Sequence, residues 1–132
     1  MRYLLDTDVI IEMLRRNAAV RDQVKHLRHT GNVLCYSPVT QAELFAGMRP
    51  GEEIPTGHLL ACMECLNIDG PVGEKAGLYL RTFRSSHRLQ IGDALIAASA
   101  ALADAALITF NARHYPMPDI SFHSLLRSTP DP

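Results

Sequence analysis

The sequence predicts an α/β fold, with helices flanking a mainly parallel sheet of about four or five strands. Short apolar segments that favour strands alternate along the chain with longer segments of helical periodicity, a pattern typical of parallel sheets. At the start, Arg2–Leu5 has strand character, and Ile10, Met13 and Leu14 then recur at helical spacing. A chain of 132 residues without internal repeats fits one domain, which we expect to span residues 1–127.

Capping and turn residues set the predicted boundaries of these elements. Asp6 or Thr7 is suited to cap the first helix, and Ser37-Pro38 is a strong start for the third, which Gly47 ends. Residues 128–132 are expected to form a disordered tail. The predicted strands are Arg2–Leu5, Val33–Tyr36, Asn67–Asp69, Ala106–Phe110 and an edge strand, Ile120–Phe122. The predicted helices are Thr7–Arg16, Ala18–His29, one from Pro38, Glu52–Leu66 after Pro55, Val72–Ser86 and Asp93–Leu102.

The overall charge argues against a strongly basic nucleic-acid-binding module, because the formal net charge is only -1. Local patches are nevertheless basic. Five basic residues and two acids lie between positions 12 and 29, and Arg81, Arg84, His87 and Arg88 precede Asp93. These stretches are either solvated helix faces or surfaces that steer a polyanion toward an acidic site.

The cysteines and the lengths of the apolar runs indicate a reducing cytoplasm. Three cysteines, an odd number, give no disulfide framework. Cys62 and Cys65 have C-x-x-C spacing, but no second pair or nearby histidine completes a zinc set. With Leu59 and Leu66, they suit a buried helical stripe instead. The N-terminal apolar run is short, and no run reaches membrane-spanning length, so we expect no signal peptide and no membrane association.

Three acidic residues far apart in sequence lie in apolar or small-residue surroundings. Asp6 follows the first strand, at the sheet edge where open α/β folds bind ligands, although it would serve equally as a helix cap. Glu43 lies on a helical face of small residues or turns to solvent at the helix edge. Asp93 follows Gly92 in an alanine-rich helix, either as a site residue or as an acid of the first turn. Asp8, in the first turn of its helix, is a helper at most.

Taken together, the three acids predict a metal site. Carboxylates are costly to bury unless a positive group neutralises them. A cluster of hard oxygen ligands is what Mg²⁺ or Mn²⁺ requires. We therefore expect Asp6, Glu43 and Asp93 to converge at one end of the sheet and hold a divalent cation.

Four motifs follow one another along the chain: residues 4–11, Ala42-Glu43-Leu44 with Gly47, residues 93–98, and Thr109-Phe110-Asn111. They resemble the motifs of PIN domains, and above all of VapC-type toxins from bacterial and archaeal toxin–antitoxin pairs. The resemblance extends from Arg2 to Phe122 and implies a single PIN-like domain. It implies a metal-dependent endoribonuclease in which Asp6, Glu43 and Asp93 are catalytic and hold one or two Mg²⁺ or Mn²⁺ ions. It also implies an RNA substrate, an inhibitory VapB-type antitoxin and a homodimer.

One position departs from the family pattern. Many members have a fourth acid three residues after the Asn of the last motif, where this chain has His114. An imidazole ligates Mn²⁺ better than Mg²⁺, contacts a phosphate, or only packs. We therefore expect one metal held by Asp6 and Asp93, with Glu43 binding directly or through water. Thr7 and Asn111 are suited to support the site by hydrogen bonding to water or a phosphate oxygen.

Two other interpretations of the acids remain open. The first is a haloacid-dehalogenase-like phosphatase, in which Asp6-Thr7-Asp8 forms the D-x-D motif and Asp6 is the nucleophile. Against it, Ala97 occupies the place of that family's second metal-binding Asp. The second is a catalytically degenerate PIN-like module that binds protein or RNA.

Apolar side chains in and after the third predicted helix exceed what a small sheet needs to cover. They predict a groove for an amphipathic partner helix, and the family resemblance implies that a C-terminal segment of the antitoxin occupies it. An inhibitory partner would most simply place an Arg or Lys against Asp6 and Asp93. The alternative is that they fill the core of the domain itself. These residues are Met48, Leu59, Leu60, Met63 and Leu66.

Overall fold

A computed structural model describes residues 1–128. Its sheet has four parallel strands in the order β3-β2-β1-β4, so the predicted α/β fold with a parallel sheet is confirmed. Beyond β4, a single parallel bridge joins Leu107 to Phe122, where an edge strand was predicted. The strands are β1 (Arg2–Leu5), β2 (Val33–Tyr36), β3 (Glu64–Cys65) and β4 (Ala105–Ile108).

Within residues 1–128, six α-helices flank the sheet, and polar caps define several of their starts. The side chains of Asp6, Asn17, Ser37 and Asp69 each accept a hydrogen bond from a backbone N–H of the helix that follows. A 3₁₀ turn covers Ala112–His114. The helices are α1 (Thr7–Leu14), α2 (Ala18–His29), α3 (Pro38–Ala46), α4 (Glu53–Ala61), α5 (Gly70–His87) and α6 (Ile91–Leu102).

Two apolar cores hold these helices to the sheet. One contains Leu4 and Leu107 with residues of α5 and α6, and the other contains Leu5 and Ile108 with residues of α1, α2 and α4. Adjacent residues of one strand thus face opposite layers, as the alternation of side chains requires. The sheet is covered on both faces, and its carboxyl edge remains available for a site.

The segment after α4 differs from the prediction. The helix expected to continue to Leu66 ends at Ala61, and the strand expected at Asn67–Asp69 lies earlier, at Glu64–Cys65. The backbone N–H of Leu66 donates to the Tyr36 carbonyl (2.9 Å), because the chain extends here to pair with β2. Cys62 and Cys65 are consequently exposed, and the predicted buried cysteine stripe is wrong.

Other boundaries shift by a few residues. Asp69 caps α5, which therefore begins at Gly70 instead of Val72. Strand β4 ends at Ile108 instead of Phe110. No helix within residues 1–128 is long and apolar enough to cross a membrane. Apart from Ser128, the tail predicted at 128–132 lies outside the described residues.

Candidate functional site

Asp6 lies at the carboxyl edge of the sheet, between the ends of β1 and β4. Its backbone N–H donates to the Ile108 carbonyl (2.9 Å), which continues the pairing of the two strands. Its Oδ1 accepts a hydrogen bond from the Thr7 backbone N–H (2.8 Å), so the carboxylate does cap α1. The other oxygen, Oδ2, accepts from the hydroxyls of Thr109 (2.9 Å) and Tyr115 (2.8 Å). The residue is 8% exposed. Asp6 therefore caps the helix and also belongs to a polar cluster.

Tyr115 is a component of this cluster that the sequence pattern did not reveal. Its ring is buried and its hydroxyl donates to Asp6. Burial raises the pKa of the Tyr115 phenol, and the negative charge of Asp6 raises it further. The phenol therefore remains a protonated donor at neutral pH and fixes the orientation of the Asp6 carboxylate.

Asp8 approaches the same loop from the first turn of α1. Its Oδ2 accepts from the Phe110 backbone N–H (3.0 Å) and more weakly from the Thr109 hydroxyl (3.4 Å). Its Oδ1 is buried and has no hydrogen-bond partner within residues 1–128. Burial, and next the charge of Asp6, raise the pKa of Asp8, against the lowering effect of the Phe110 N–H. Sequence reasoning treated Asp8 as a helper at most, although its two-residue spacing from Asp6 after a strand was a usable signal.

Glu43 is connected to Asp6 through Thr7. Glu43 Oε1 accepts from the Thr7 hydroxyl (2.9 Å), whose oxygen also lies 3.0 Å from the hydroxyl of the buried Thr40. Glu43 is exposed, as one of the alternatives for it required, but its carboxylate is held toward the cluster. The sequence predicted that Thr7 would hold water or a phosphate oxygen, whereas its hydroxyl here binds Glu43. Thr40 was not predicted.

Asp93 lies in the first turn of α6. Its pKa is raised, first by burial and also by the negative charge of Asp6, while hydrogen bonding to the Gln90 backbone and the charge of His114 lower it. The pKa of Asp93 thus responds to the charges of both Asp6 and the exposed His114. A Cβ added at Gly92 would lie 3.2 Å from Val39 Cγ1, so glycine lets α6 pack closely against α3.

Asn111 supports the loop through its backbone. Its N–H donates to the Thr109 hydroxyl (3.0 Å), the group that holds Asp6, and its side chain is exposed. Hydrogen bonds thus connect Asp6, Asp8 and Glu43 with Thr7, Thr109 and Tyr115. Asp93 and His114 are related to this network through the effect of charge on the pKa of Asp93.

The donor chemistry of this cluster fits a hard divalent cation. The ion pairs within residues 1–128 join Arg2 to Glu64, Lys75 to Asp119 and Arg127 to Glu12, and none neutralises the clustered carboxylates. Neighbouring negative charges without a cation are unfavourable, and carboxylate oxygens are the ligands that Mg²⁺ prefers. The buried Asp8 Oδ1, which lacks a partner in the described part of the chain, is an oxygen available for an ion. No three acidic, histidine or cysteine side chains of residues 1–128 are already close enough to chelate one, so binding would require side-chain adjustment.

Comparison with known proteins agrees with this geometry. The model of the PIN domain family matches residues 3–120, and the chain belongs to that family. It is 40% identical over 115 residues to ribonuclease VapC10 of Mycobacterium tuberculosis, covering 86% of each chain. It is 33% identical over 119 residues to ribonuclease VapC19 of the same organism, covering 89% of this chain and 95% of that one. The resemblance predicted from the motifs is confirmed, and the phosphatase interpretation is set aside.

Solved structures share the fold at lower identity. The VapBC2 complex of Rickettsia felis bound to a promoter DNA fragment gives a TM-score of 0.78 at 22% identity, covering 95% of this chain and 99% of that one. The VapBC-1 structure from nontypeable Haemophilus influenzae gives 0.75 at 24% identity, covering 94% and 98%. These similarities confirm the fold of nearly the whole chain.

Proposed function

We propose that this protein is a metal-dependent endoribonuclease of the VapC type, a toxin neutralised by a VapB-type antitoxin. The observation that carries the proposal is the hydrogen-bonded network of Asp6, Asp8 and Glu43 at the sheet edge, where the charge of Asp6 raises the pKa of both Asp8 and Asp93. This donor set is suited to Mg²⁺ or Mn²⁺. The relatives named as ribonucleases support the class of reaction.

The test is cleavage of single-stranded or looped RNA by the purified protein. We expect cleavage with Mg²⁺ or Mn²⁺ and none in EDTA. Calorimetry would show a divalent ion binding to the wild-type protein and much weaker binding to the Asp93→Asn variant. Absence of metal binding by the wild-type protein would favour a degenerate binding module instead.

Each residue of the site has a proposed role in catalysis. Asp6, Asp8 and Asp93, with Glu43 directly or through water, would hold the ion, which supplies Lewis acidity toward a phosphodiester oxygen and a lowered pKa for attacking water. Glu43 is placed to orient or deprotonate that water, and Thr7 holds its carboxylate. Thr109 and Tyr115 fix Asp6, so less reorganisation is needed at the moment of reaction.

His114 limits how strongly a second ion would bind. It is exposed and close enough to lower the pKa of Asp93. We expect His114→Asp to add a hard oxygen ligand and to raise the affinity for Mg²⁺ relative to Mn²⁺. Calorimetric titration with each ion measures the change, and His114→Asn is the control that adds no charge. Equal affinities in the wild-type protein and the Asp variant would mean that His114 does not approach the ion.

The antitoxin site that we propose is an apolar groove of about 650 Å³ between α1, α2 and α4. The groove prediction is corrected in part: Leu59 and Met63 line it, whereas Leu60 (5% exposed) and Leu66 (7%) belong to the cores. Met48 lines a smaller neighbouring cavity, which includes Glu43 and shares Leu14 and Glu52 with the groove. A segment in the groove would therefore have a short path toward the acidic cluster.

The charges at the groove specify its occupant further. Its rim has four basic residues and one acid, Glu52. We infer an amphipathic antitoxin segment with apolar side chains on the groove and acidic ones at its rim, and with an Arg or Lys directed to Asp6 and Asp93. The basic rim residues are Arg16, Arg21, Lys25 and Arg28.

A second copy of the chain would bind through other helices. Leu78 of α5 is 48% exposed, and at the two ends of α6 Ile91 is 65% and Leu102 51% exposed. Covering them in a homodimer would remove apolar surface from water, outside the antitoxin groove. Sedimentation analysis with and without Ile91→Glu tests this assembly.

A further inference from the structure

The chain after the last strand returns across α1 and α2 and is fastened there. The Gln23 side chain donates to the Leu126 carbonyl (2.7 Å) and accepts from the Leu126 N–H (3.0 Å). The Asn17 side chain donates to the Arg127 carbonyl (2.9 Å). These bonds define a strap, residues 123–128, whose path brings Arg127 back to the first helix.

The strap places the Arg127 guanidinium over an aromatic ring. The guanidinium carbon lies 4.7 Å from the centroid of the Phe110 ring, and Nη2 donates to Glu12 Oε1 (2.8 Å). The other oxygen of Glu12 accepts from the Asn17 side chain (2.9 Å). The Arg127 side chain is still 60% exposed, so its outer surface and further donors are accessible to a ligand.

This pair lies beside the acidic cluster. The backbone N–H of Phe110 binds Asp8, and Glu12 follows Asp8 by four residues in α1. Residues four apart on a helix are neighbours, with Cβ atoms about 5–6 Å apart. The guanidinium is thus held about one helical turn from a carboxylate of the site.

We propose that Phe110 and Arg127 form a subsite for single-stranded RNA, in which Arg127 contacts an unpaired base and its phosphate next to the cleavage site. This rests on the proposed ribonuclease function. An acidic cluster repels phosphates, and substrate binding therefore benefits from a cation at its border. A planar guanidinium held by an aromatic ring can stack on a base and donate to phosphate oxygens.

Binding to RNA is the direct test. Fluorescence anisotropy with a labelled single-stranded RNA of mixed sequence is measured in the Asp93→Asn background, which prevents cleavage. We expect Arg127→Gln to weaken binding about tenfold and Phe110→Leu about fivefold, in the range of one lost stacking contact. The logarithmic salt dependence should become less steep by about 0.7 when Arg127 is neutralised, the value for one phosphate contact on a single strand.

The matched control is Arg2→Gln. Arg2 is also half-exposed and also paired with a glutamate, Glu64, but it lies at the opposite end of β1 from Asp6. Arg2→Gln removes the same charge as Arg127→Gln. It should change the affinity for RNA by less than about twofold, because a charge at this distance acts on the RNA only through a long-range interaction that salt screens. Thermal unfolding of each variant verifies that the fold is kept.

The Glu12→Gln variant distinguishes direct contact between Arg127 and RNA from a purely structural role of the Glu12–Arg127 ion pair in holding the strap. If Arg127 contacts RNA, Glu12→Gln should tighten binding about twofold to threefold, and this gain should vanish when Arg127→Gln is also present. If the ion pair only braces the strap, Glu12→Gln weakens binding instead, which would overturn the proposal.

Two outcomes distinguish this inference from the ribonuclease function itself. A wild-type protein that cleaves RNA with metal, together with an Arg127→Gln variant whose affinity and salt dependence equal those of Arg2→Gln, overturns only the subsite. A wild-type protein that neither binds nor cleaves RNA overturns the proposed function, and the subsite with it.

Discussion

Asp93→Asn is expected to abolish metal-dependent RNA cleavage, with a fall in rate of at least about a hundredfold. The substitution removes one of the carboxylates proposed to hold the ion that stabilises charge on the phosphodiester. The amide keeps the size of the side chain and leaves α6 in place. Cleavage assays at saturating Mg²⁺ and Mn²⁺ measure the loss, and activity that persists in both the variant and EDTA would contradict the mechanism.

The same substitution should leave the thermal stability of the metal-free protein equal or higher. The pKa of Asp93 in the folded chain is raised above its ordinary value of 3.8, mainly by burial and also by Asp6. The folded state then binds more protons than the unfolded state, so stability falls as pH rises from 3.8 through the raised pKa. At neutral pH this effect lowers the free energy of unfolding of the wild-type protein, but not that of the variant, whose amide does not ionise. Thermal unfolding in EDTA at neutral and mildly acidic pH should show the two converging at the lower pH.

Asp104→Asn is the matched control for Asp93→Asn. Asp104 is an exposed acid just before β4, at the other edge of the sheet, and its positive φ of 52° suits asparagine. This variant removes the same charge and should keep full activity and metal affinity.

Replacing both Ile54 and Met63 with Glu is expected to abolish antitoxin binding while the protein stays folded. Both residues line the groove, and Ile54 is 71% exposed, so a carboxylate there can remain hydrated. Loss of two apolar anchors, with two carboxylates introduced against the apolar side of the antitoxin segment, should weaken binding at least about a hundredfold. Calorimetry with the cognate antitoxin measures the change.

Two single variants serve as controls for the groove experiment. Leu60→Glu should unfold the protein, because Leu60 is 5% exposed and lies in the core with Leu5 and Ile10. Ile68 lies between β3 and α5, is exposed and does not line the groove, so Ile68→Glu should alter neither folding nor antitoxin affinity. A folded groove variant with undiminished antitoxin affinity would refute the assignment.

Local patterns in the sequence were sufficient where local interactions decide the structure. The predicted bounds of β1, β2 and α2 are those of the structure, because apolar runs and caps such as Asn17 specify them. The segment at 62–66 was mispredicted because its apolar spacing suits a helix, whereas pairing with β2, a tertiary interaction, draws it into the sheet.

The same distinction between local and tertiary interactions applies to the residues of the site. Asp6, Glu43 and Asp93 were recognisable from their surroundings and from the family motifs, and the structure links Asp6 to Glu43 through Thr7. The positions of Asp8 and Tyr115 depend on hydrogen bonds to residues more than a hundred positions away, Phe110 and Asp6. Such partners are set by the packing of the whole domain, so a local pattern such as the spacing of Asp6 and Asp8 can indicate the residue but not its partner.

The order of the strands has a consequence for the timing of activity during synthesis. Strand β1 lies inside the sheet, and one of its two neighbours, β4, is made about a hundred residues later. At roughly 5–20 residues per second, the ribosome needs on the order of ten seconds to produce the intervening chain. Until then Asp6 lacks Thr109 and Tyr115, and Asp8 lacks the Phe110 N–H. We therefore expect the site to be incomplete in a nascent or prematurely terminated chain, so that the antitoxin needs to bind only the completed chain.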